Sequence, residues 1–366
     1  MLFAHALCHL IGRYVPVDIL HLHDWQSALA APLAKTRYGL SCPIVLTIHN
    51  LAFQGVFPKE AIERLDLGWE LFTMDRLEFY DRVNFLKGGI AYADAVTTVS
   101  PTYAREITTA EFGANLESFL KRYEAKISGI LNGIDSVEFD PSNDPALTHP
   151  FDARHLGRKK EEKRALCREL SIQEDSRPLL AYVGRLAEQK GIGELAALVG
   201  AISDAPINIV ILGSGESHYE SMCRALQSDN VKVVLRYDES LSRRIYAASD
   251  FFLMPSQFEP CGLAQMIAMR YGSIPIVRKT GGLNDTVVDF CDTVAFQVPE
   301  SAGIGIAMER CDTESFMHAI IKALALYVNE EMMREFIVYN MNKDFSWHRA
   351  AISYRALYRS IHVQKG

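Results

Sequence analysis

The sequence lacks the cysteine pattern of disulfide-rich and zinc-binding proteins. Its seven cysteines are odd in number and scattered along 366 residues, and no two form a Cys-x-x-Cys pair. A disulfide framework or a zinc knuckle would need closely and regularly spaced cysteines. We therefore expect a reducing compartment, the cytoplasm, for this chain.

The sequence also lacks long apolar runs and an excess of positive charge. No run approaches the roughly 18 consecutive apolar residues of a membrane span. The first residues lack the basic region and small-residue cleavage site of a signal peptide. The formal net charge is −7, from 38 Lys and Arg against 45 Asp and Glu. These absences argue against a membrane partner and against a nucleic-acid partner.

What is present is the composition and patterning of a globular α/β protein. Hydrophobic residues make up 49% of the chain and charged residues 23%, so disorder is excluded for the bulk of it. Short apolar segments alternate with helical patterns, which predicts parallel sheets covered on both faces. The strand candidates are residues 17–22, 43–48, 95–99, 127–131, 179–183, 207–212, 231–235, 251–254 and 274–277.

A proline-rich segment separates two such halves. Residues 136–157 carry three prolines and a glycine among polar residues, which predicts a long connection. The charged residues 158–164 predict the start of a solvated helix. Because the chain is too long for one ordinary core, we expect two domains.

In open parallel sheets, ligands bind at the carboxyl ends of the strands. Arg185 and Lys190 follow the strand candidate at 179–183, and Gly191 then opens a helix. Two cations beside helix N–H groups suit a diphosphate. Taken in isolation, a surface turn with two solvated cations explains this segment more simply.

Other strand ends carry similar signals. Gly213 follows the strand at 207–212 and would let backbone approach a ligand, although a plain tight turn is the better explanation of this motif alone. Glu259 could accept ribose hydroxyls or merely stabilise a helix N-terminus. Cys261 is expected to be a packed thiol, because no histidine stands near it in the sequence. Gly281 and Gly282 offer N–H groups to an anion.

The first half places histidines and a carboxylate at strand ends. His21 and His23 share one face of a strand, as two ligands of a metal ion would. No further ligands cluster with them, so Asp24 is better explained as a hydroxyl acceptor. His49 ends the next strand, where a functional role and an ordinary loop histidine are equally compatible with the spacing.

In combination, these motifs resemble the bacterial glycogen synthase and starch synthase family. The matching segments are His23–Trp25, Thr47–Gly55, Leu86–Ile90, Thr97–Ala104, Leu131–Asp135, Gly184–Leu186, Gln189–Gly191, Phe258–Leu263, Thr280–Leu283 and Asp344–Trp347. The resemblance implies a GT-B fold with two Rossmann-like domains facing a crevice. It also implies retaining transfer of glucose from ADP-glucose to the non-reducing 4-hydroxyl of an α-1,4-glucan such as glycogen.

The resemblance assigns roles to the matching positions. Arg185 and Lys190 would hold the donor diphosphate, and Glu259 would lie beside the glucose or the ribose. The expected catalytic residues are Arg185, Lys190, Glu259, His49 and Asp24. The expected substrate-binding residues are Asn132, Gly213, Cys261, Gly262, Leu263, Thr280, Gly281 and Gly282. Among these, Cys261–Leu263 and Gly281–Gly282 would present backbone amides to donor oxygens. Neither a metal nor a cofactor is expected.

The resemblance also shapes the expected domain plan. We expect an acceptor-side domain at 1–135, a nucleotide-sugar domain at 136–344 and a last helix at 345–366 that crosses back. The family starts with a strand and a Lys-x-Gly-Gly loop that has no counterpart before Met1. We therefore expect an incomplete first domain.

Three alternatives to a glucan synthase stay open. The first is a truncated, non-catalytic fragment that binds a nucleotide sugar or glucan, which the absent loop would favour. The second is a phosphorylase, which would carry a lysine-bound pyridoxal phosphate. The third is another retaining glycosyltransferase, which the strings Thr47–Gly55 and Glu259–Leu263 argue against.

Overall fold

The computed structural model describes residues 2–173, 176–292 and 298–363, which form two compact units. The first unit comprises Met1–Asn132 and Ala350–Gly366, and the second comprises Gly133–Arg349. The sequence-based boundaries were drawn after 135 and after 344. Among the described residues, no helix is both long and apolar enough to cross a membrane.

The first unit is built on a four-stranded parallel sheet and a short two-stranded antiparallel sheet. Its strands are β1 (Leu20–His23), β2 (Ile44–Ile48), β3 (Val56–Pro58), β4 (Arg82–Asn84), β5 (Ala95–Thr98) and β6 (Ile127–Gly129). The parallel sheet has the order β1-β2-β5-β6, and β3 pairs with β4. In register, Leu20 lies opposite Ile44, and Val45 lies opposite Ala95.

Among the described residues of the first unit, seven α-helices precede the second unit. They are α1 (Leu2–Arg13), α2 (Asp24–Ala28), α3 (Ala30–Thr36), α4 (Ala61–Arg64), α5 (Phe85–Tyr92), α6 (Pro101–Glu106) and α7 (Glu117–Arg122). Helix α6 is capped at its start: the Ser100 hydroxyl accepts a hydrogen bond from the Tyr103 N–H at 2.9 Å, and Pro101 occupies the first turn. Helix α5 packs closely on α2, because a Cβ at Gly89 would overlap that of Ala28.

The second unit contains a seven-stranded parallel sheet. Its strands are β7 (Leu179–Val183), β8 (Asn208–Leu212), β9 (Val231–Val234), β10 (Phe251–Met254), β11 (Ile274–Arg278), β12 (Val287–Asp289) and β13 (Gly303–Met308), in the order β12-β13-β11-β10-β7-β8-β9. The five strands predicted for this half are confirmed to within two residues at each end, whereas β12 and β13 were missed. Strands β8 and β10 are buried along their whole length, as helices on both faces require.

The remaining helices begin after the long connection. They are α8 (Leu156–Glu169), α9 (Ile192–Ala201), α10 (Ser217–Arg224), α11 (Glu239–Ala248), α12 (Ala264–Arg270), α13 (Gly281–Thr286), α14 (Thr313–Val328), α15 (Glu330–Met341) and α16 (Trp347–Val363). The end of α16 belongs to the first unit, where Ile361 packs against Val45 and Ala95 on one face of the sheet. The main core of that unit, which includes Ile44 and Leu46, lies on the other face.

The connection at 136–155 has neither helix nor strand, as predicted, but it is fastened to the second unit. The guanidinium of Arg243 bonds the Glu138 carbonyl at 2.8 Å and lies 3.6 Å from the carboxylate of Asp144. Tyr271 donates its hydroxyl to the same Asp144. This segment is therefore part of the packed structure of the unit.

Helix α8 differs from its prediction as a solvated helix. Lys159 and Glu162 are buried. The Lys159 ammonium donates to the carbonyls of Ala247 at 2.7 Å, Ser249 at 2.9 Å and Tyr271 at 3.1 Å, all at the ends of α11 and α12. Burial lowers the pKa of Lys159 to about 7. One lysine of this charged segment, Lys159, is therefore a buried cation that donates hydrogen bonds to carbonyls at helix C-termini.

Replacing this buried cation should destabilise the second unit. In Lys159→Met the three carbonyls lose their donor, so we expect the free energy of unfolding to fall by about 2 to 4 kcal/mol. Lys160→Met is the matched control, because that side chain is 74% exposed and its carboxylate partner lies 3.9 Å away. Urea denaturation measures both changes. Equal effects of the two substitutions would contradict a structural role for Lys159.

Candidate functional site

The loop after β7 carries the two cations predicted from sequence. Arg185 is exposed, and its Nη2 lies 3.4 Å from Oε1 of Gln189. The Tyr182 hydroxyl donates to the Arg185 carbonyl at 2.9 Å, which holds the backbone of the loop. The Arg185 guanidinium is therefore exposed to solvent, while the backbone of Arg185 is held in place. Lys190 ends the same loop.

Lys190 and Glu259 form an ion pair that joins the ends of β7 and β10. The Lys190 ammonium contacts Oε2 of Glu259, and the Ser256 hydroxyl donates to the same oxygen at 2.9 Å. The Glu259 side chain is 8% exposed and that of Lys190 is 22% exposed. The other oxygen, Oε1 of Glu259, has no hydrogen-bond partner within the described part of the chain. Sequence predicted both residues but not their pairing.

Gln189 and Gln257 reinforce this junction and were missed as site residues. The Gln257 N–H donates to the Gln189 carbonyl at 2.9 Å, and Nε2 of Gln189 lies 3.3 Å from the Phe258 carbonyl. Gln189 belongs to the segment Gln189–Gly191 that matches the family, and this match could have marked it as a site residue. These bonds hold the loop that carries Lys190 at a fixed distance from the loop that carries Glu259.

Glycines allow neighbouring loops to come into contact. Gly191 has φ +66°, and a Cβ there would overlap the Pro255 carbonyl. A Cβ at Gly213 would overlap the Gly184 carbonyl in the same way. The neighbouring loop is thus one close contact of Gly213, and the approach of a ligand to this glycine stays a prediction.

The Gly281–Gly282 pair is used similarly. A Cβ at Gly281 would overlap the carbonyl of Glu259, and one at Gly282 would overlap that of Cys261. The Gly282 N–H donates to the carbonyls of Glu259 at 3.1 Å and Pro260 at 3.2 Å. This amide is engaged within the protein here, and its presentation to a donor oxygen stays a prediction. Thr280 is buried at the start of α13, and its carbonyl accepts from the Leu283 N–H at 3.0 Å.

The segment Cys261–Leu263 leads into α12. Cys261 is buried, as predicted for a packed thiol, while Leu263 is 42% exposed. Gln265 donates to the carbonyls of Cys261 at 3.2 Å and Gly262 at 3.0 Å, which fixes the turn. In the part of the chain that the structure describes, the N–H groups of Gly262 and Leu263 have no protein acceptor. Their presentation to a donor oxygen stays a prediction.

In the first unit, parallel pairing brings Asp24 and His49 together at the ends of β1 and β2. Oδ1 of Asp24 accepts a hydrogen bond from the His49 backbone N–H at 2.7 Å. Asp24 has φ +54°, a conformation that costs a non-glycine residue roughly 1 to 2 kcal/mol and often marks functional sites. Asp24 was expected to accept a hydroxyl, and one of its carboxylate oxygens is thus already bonded to the His49 backbone.

Three histidines lie in contact at this edge. The His21 and His23 rings stack with centroids 4.3 Å apart, and Nδ1 of His23 lies 3.0 Å from Nε2 of His49. Burial, then the neighbouring histidines, lower the pKa of His21 to about 4, and burial also lowers the pKa of His23. Among the described residues, no group of three or more His, Cys, Asp or Glu side chains could hold a metal ion. The alternation of side chains along a strand predicted that His21 and His23 share a face, but it did not predict the contact with His49.

Asn132 follows β6 at the end of the first unit and is half-buried. Its side chain makes no hydrogen bond to another of the residues described. The next residue, Gly133, belongs to the second unit, where a Cβ would overlap the backbone of Trp347. The expected contact of Asn132 with a sugar stays a prediction.

Comparisons with known proteins agree along the whole chain. Residues 1–122 match a family model described as starch synthase catalytic domain, and residues 167–341 match one described as glycosyl transferases group 1. A glycogen synthase of Bacillus anthracis is 40% identical over 94% of this chain and 73% of its own length. Glycogen synthase 1 of Methylococcus capsulatus is 41% identical over 93% of this chain and 69% of its own.

Solved structures give the same result. The catalytic domain of starch synthase IV from Arabidopsis thaliana, bound to ADP and acarbose, has a TM-score of 0.91 and 39% identity. The likeness covers 99% of this chain and 76% of that one. Sucrose-phosphate synthase from Thermosynechococcus elongatus has a TM-score of 0.63 at 20% identity, which is evidence of a shared fold alone.

The contact between Gly281 and the Glu259 carbonyl can be tested by substitution. In Gly281→Ala the added methyl group collides with backbone at φ +43°, so we expect a loss of about 1 to 3 kcal/mol in the free energy of unfolding. Gly193→Ala in α9 is the control, because its Cβ meets nothing within 4 Å. Chemical denaturation of both variants is the measurement. If Gly281→Ala is as stable as the control, the loops are not held together as described.

Proposed function

Because the chain belongs to the glycogen synthase and starch synthase family of glycosyltransferases, we propose that it transfers glucose from ADP-glucose to an α-1,4-glucan. The observation that carries this proposal is the Lys190–Glu259 pair beside Arg185, at the carboxyl edge of the seven-stranded sheet. A sugar nucleotide needs cations for its diphosphate and a hydroxyl acceptor for its sugar, and this edge offers both. The ADP in the Arabidopsis structure supports adenine as the donor base.

Arg185 and Lys190 bind the donor diphosphate and act on the departing nucleotide. As the anomeric C–O bond breaks, negative charge accumulates on the diphosphate, and fixed cations stabilise that charge. The guanidinium of Arg185 is exposed and can reach outward to a phosphate oxygen. Lys190 already sits against Glu259, so little reorganisation is required when the donor binds.

Glu259 takes the sugar side of the donor through its second oxygen. Oε2 is engaged by Lys190 and by the Ser256 hydroxyl. Oε1 is then the acceptor for a hydroxyl of the glucose or of the ribose.

The transfer proceeds with retention by attack of the acceptor hydroxyl on the same face of the sugar that the diphosphate leaves. The transition state is oxocarbenium-like, so the positive sugar and the negative leaving group form next to the cations that bind the diphosphate. A glycosyl-enzyme would require a carboxylate nucleophile, and Glu259 is instead committed to Lys190 and Ser256. The acceptor is the non-reducing 4-hydroxyl of the glucan.

In the first unit, His49, Asp24 and Asn132 are the residues proposed to interact with sugar hydroxyls. Nδ1 of His49 and the carboxamide of Asn132 are hydrogen-bonding groups suited to hydroxyls. Asp24 supports this arrangement by holding the His49 backbone. We further propose that the reaction requires neither a metal nor another cofactor and that the protein acts in the cytoplasm.

Transfer of labelled glucose to glycogen tests the proposed function. We expect the 366-residue chain to incorporate label from ADP-glucose and to use UDP-glucose more slowly, because the adenine nucleotide is the proposed donor. The radioactivity in precipitated glycogen is the readout. No incorporation from either donor by a folded sample would contradict the proposal and favour a non-catalytic fragment.

Variants assign that activity to the site. Lys190→Ala and Arg185→Ala should each lower kcat/KM by roughly 10²- to 10³-fold, the cost of removing one donor to a developing charge. Lys160→Ala serves as the control, because its side chain is exposed and lies outside the site. Comparable losses in all three variants would mean that a general change of charge is responsible.

A further inference from the structure

Two hydrogen bonds fix His49, one through its backbone and one through its ring. The backbone N–H donates to Oδ1 of Asp24 at 2.7 Å, and the ring Nε2 lies 3.0 Å from Nδ1 of His23. A histidine has only two ring nitrogens, so Nδ1 alone remains for a substrate. The orientation of the His49 ring is therefore set by His23.

His23 itself rests on a rigid partner. Its ring stacks on that of His21 at 4.3 Å, with an interplanar angle of 26°. Both nitrogens of His21 are engaged, Nδ1 at 2.6 Å from the Tyr358 hydroxyl and Nε2 at 2.7 Å from the Thr47 hydroxyl. Because both nitrogens of the His21 ring are hydrogen-bonded, that ring cannot rotate freely. Its stacking contact therefore restricts the rotation of the His23 ring.

The contact between His23 and His49 also couples their tautomers. Between two neutral imidazoles, one nitrogen donates the proton and the other accepts it. If Nε2 of His49 donates, its Nδ1 is an acceptor, and if Nε2 accepts, its Nδ1 carries the proton. The state of His23 thus determines whether His49 offers the substrate a donor or an acceptor.

We propose that His23 is a positioning residue for His49, fixing its ring and selecting the tautomer that its Nδ1 presents to the substrate. The inference rests on the proposed function, in which His49 contacts the sugar. His23 is only partly covered, chiefly by the rings of His21 and His49, so its loss removes little core packing. An effect of its substitution on catalysis therefore does not arise from destabilisation of the core.

Three variants separate positioning from a general structural role. His23→Leu removes the hydrogen bond, whereas His23→Asn keeps a polar group near the Nδ1 position. We expect kcat for glucose transfer to fall about tenfold in His23→Leu, with a smaller change in KM, and to recover largely in His23→Asn. His9→Leu is the control, since His9 is an exposed histidine of α1 in the same unit.

A double substitution shows whether His23 acts through His49. In a His49→Ala background, His23→Leu should cause no further loss, because the group that it positions is already gone. A tenfold loss that persists in the His49→Ala background would overturn the proposal. So would equal losses in His23→Leu and His23→Asn.

Nitrogen-15 NMR of the imidazole rings reads the tautomer without requiring activity. We expect His49 to show one predominant tautomer in the wild-type chain and averaged Nδ1 and Nε2 shifts in His23→Leu. Unchanged His49 shifts in His23→Leu would overturn positioning. A tautomer change in a chain that transfers no glucose would support positioning while the proposed function fails, so the two failures are distinguishable.

Discussion

Parallel pairing of the strands is the constraint on which the candidate site residues of each unit depend. In the seven-stranded sheet it delivers the loops after β7, β8, β10 and β11 to one edge. These loops then touch one another so closely that Gly191, Gly213 and Gly281 leave no space for a side chain. Lys190 and Glu259 are paired because their loops are packed in this way, not because they are near in sequence. In the first unit the same constraint places Asp24 beside His49.

The fold was largely predictable from sequence, and the predicted GT-B fold is confirmed. Buried parallel strands are continuous apolar runs, so β7 and β10 were found at their observed bounds. Strand β13 was missed, because Gly303 and Gly305 interrupt its apolar pattern. The burial of Lys159 was missed for another reason: its acceptors are carbonyls of Ala247, Ser249 and Tyr271, and carbonyls leave no mark in a sequence.

The site divides along the same line. Motifs gave the residues, including Arg185, Lys190, Glu259 and His49, whose roles stay proposals. The motifs did not show which of these residues contact one another. Several strands and helices separate Lys190 from Glu259 in the sequence, and His23 and His49 come into contact only when their strands pair. The glycines show why a motif does not identify what approaches it. A residue without Cβ permits close approach, and the contacts of Gly213 and Gly282 with other parts of the chain were not predictable from the motifs.

The central claim is that Glu259 restrains Lys190 while the diphosphate is bound chiefly by Lys190 and Arg185. The affinity of the Glu259→Gln variant for ADP, measured by titration calorimetry beside the wild-type chain, tests it most directly. ADP carries the diphosphate and the ribose without glucose, and a glutamine keeps an oxygen that can accept a ribose hydroxyl. The account therefore predicts that Glu259→Gln binds ADP at least as tightly as the wild type, since a carboxylate no longer competes for the ammonium. Loss of ADP binding in a folded Glu259→Gln variant would contradict it.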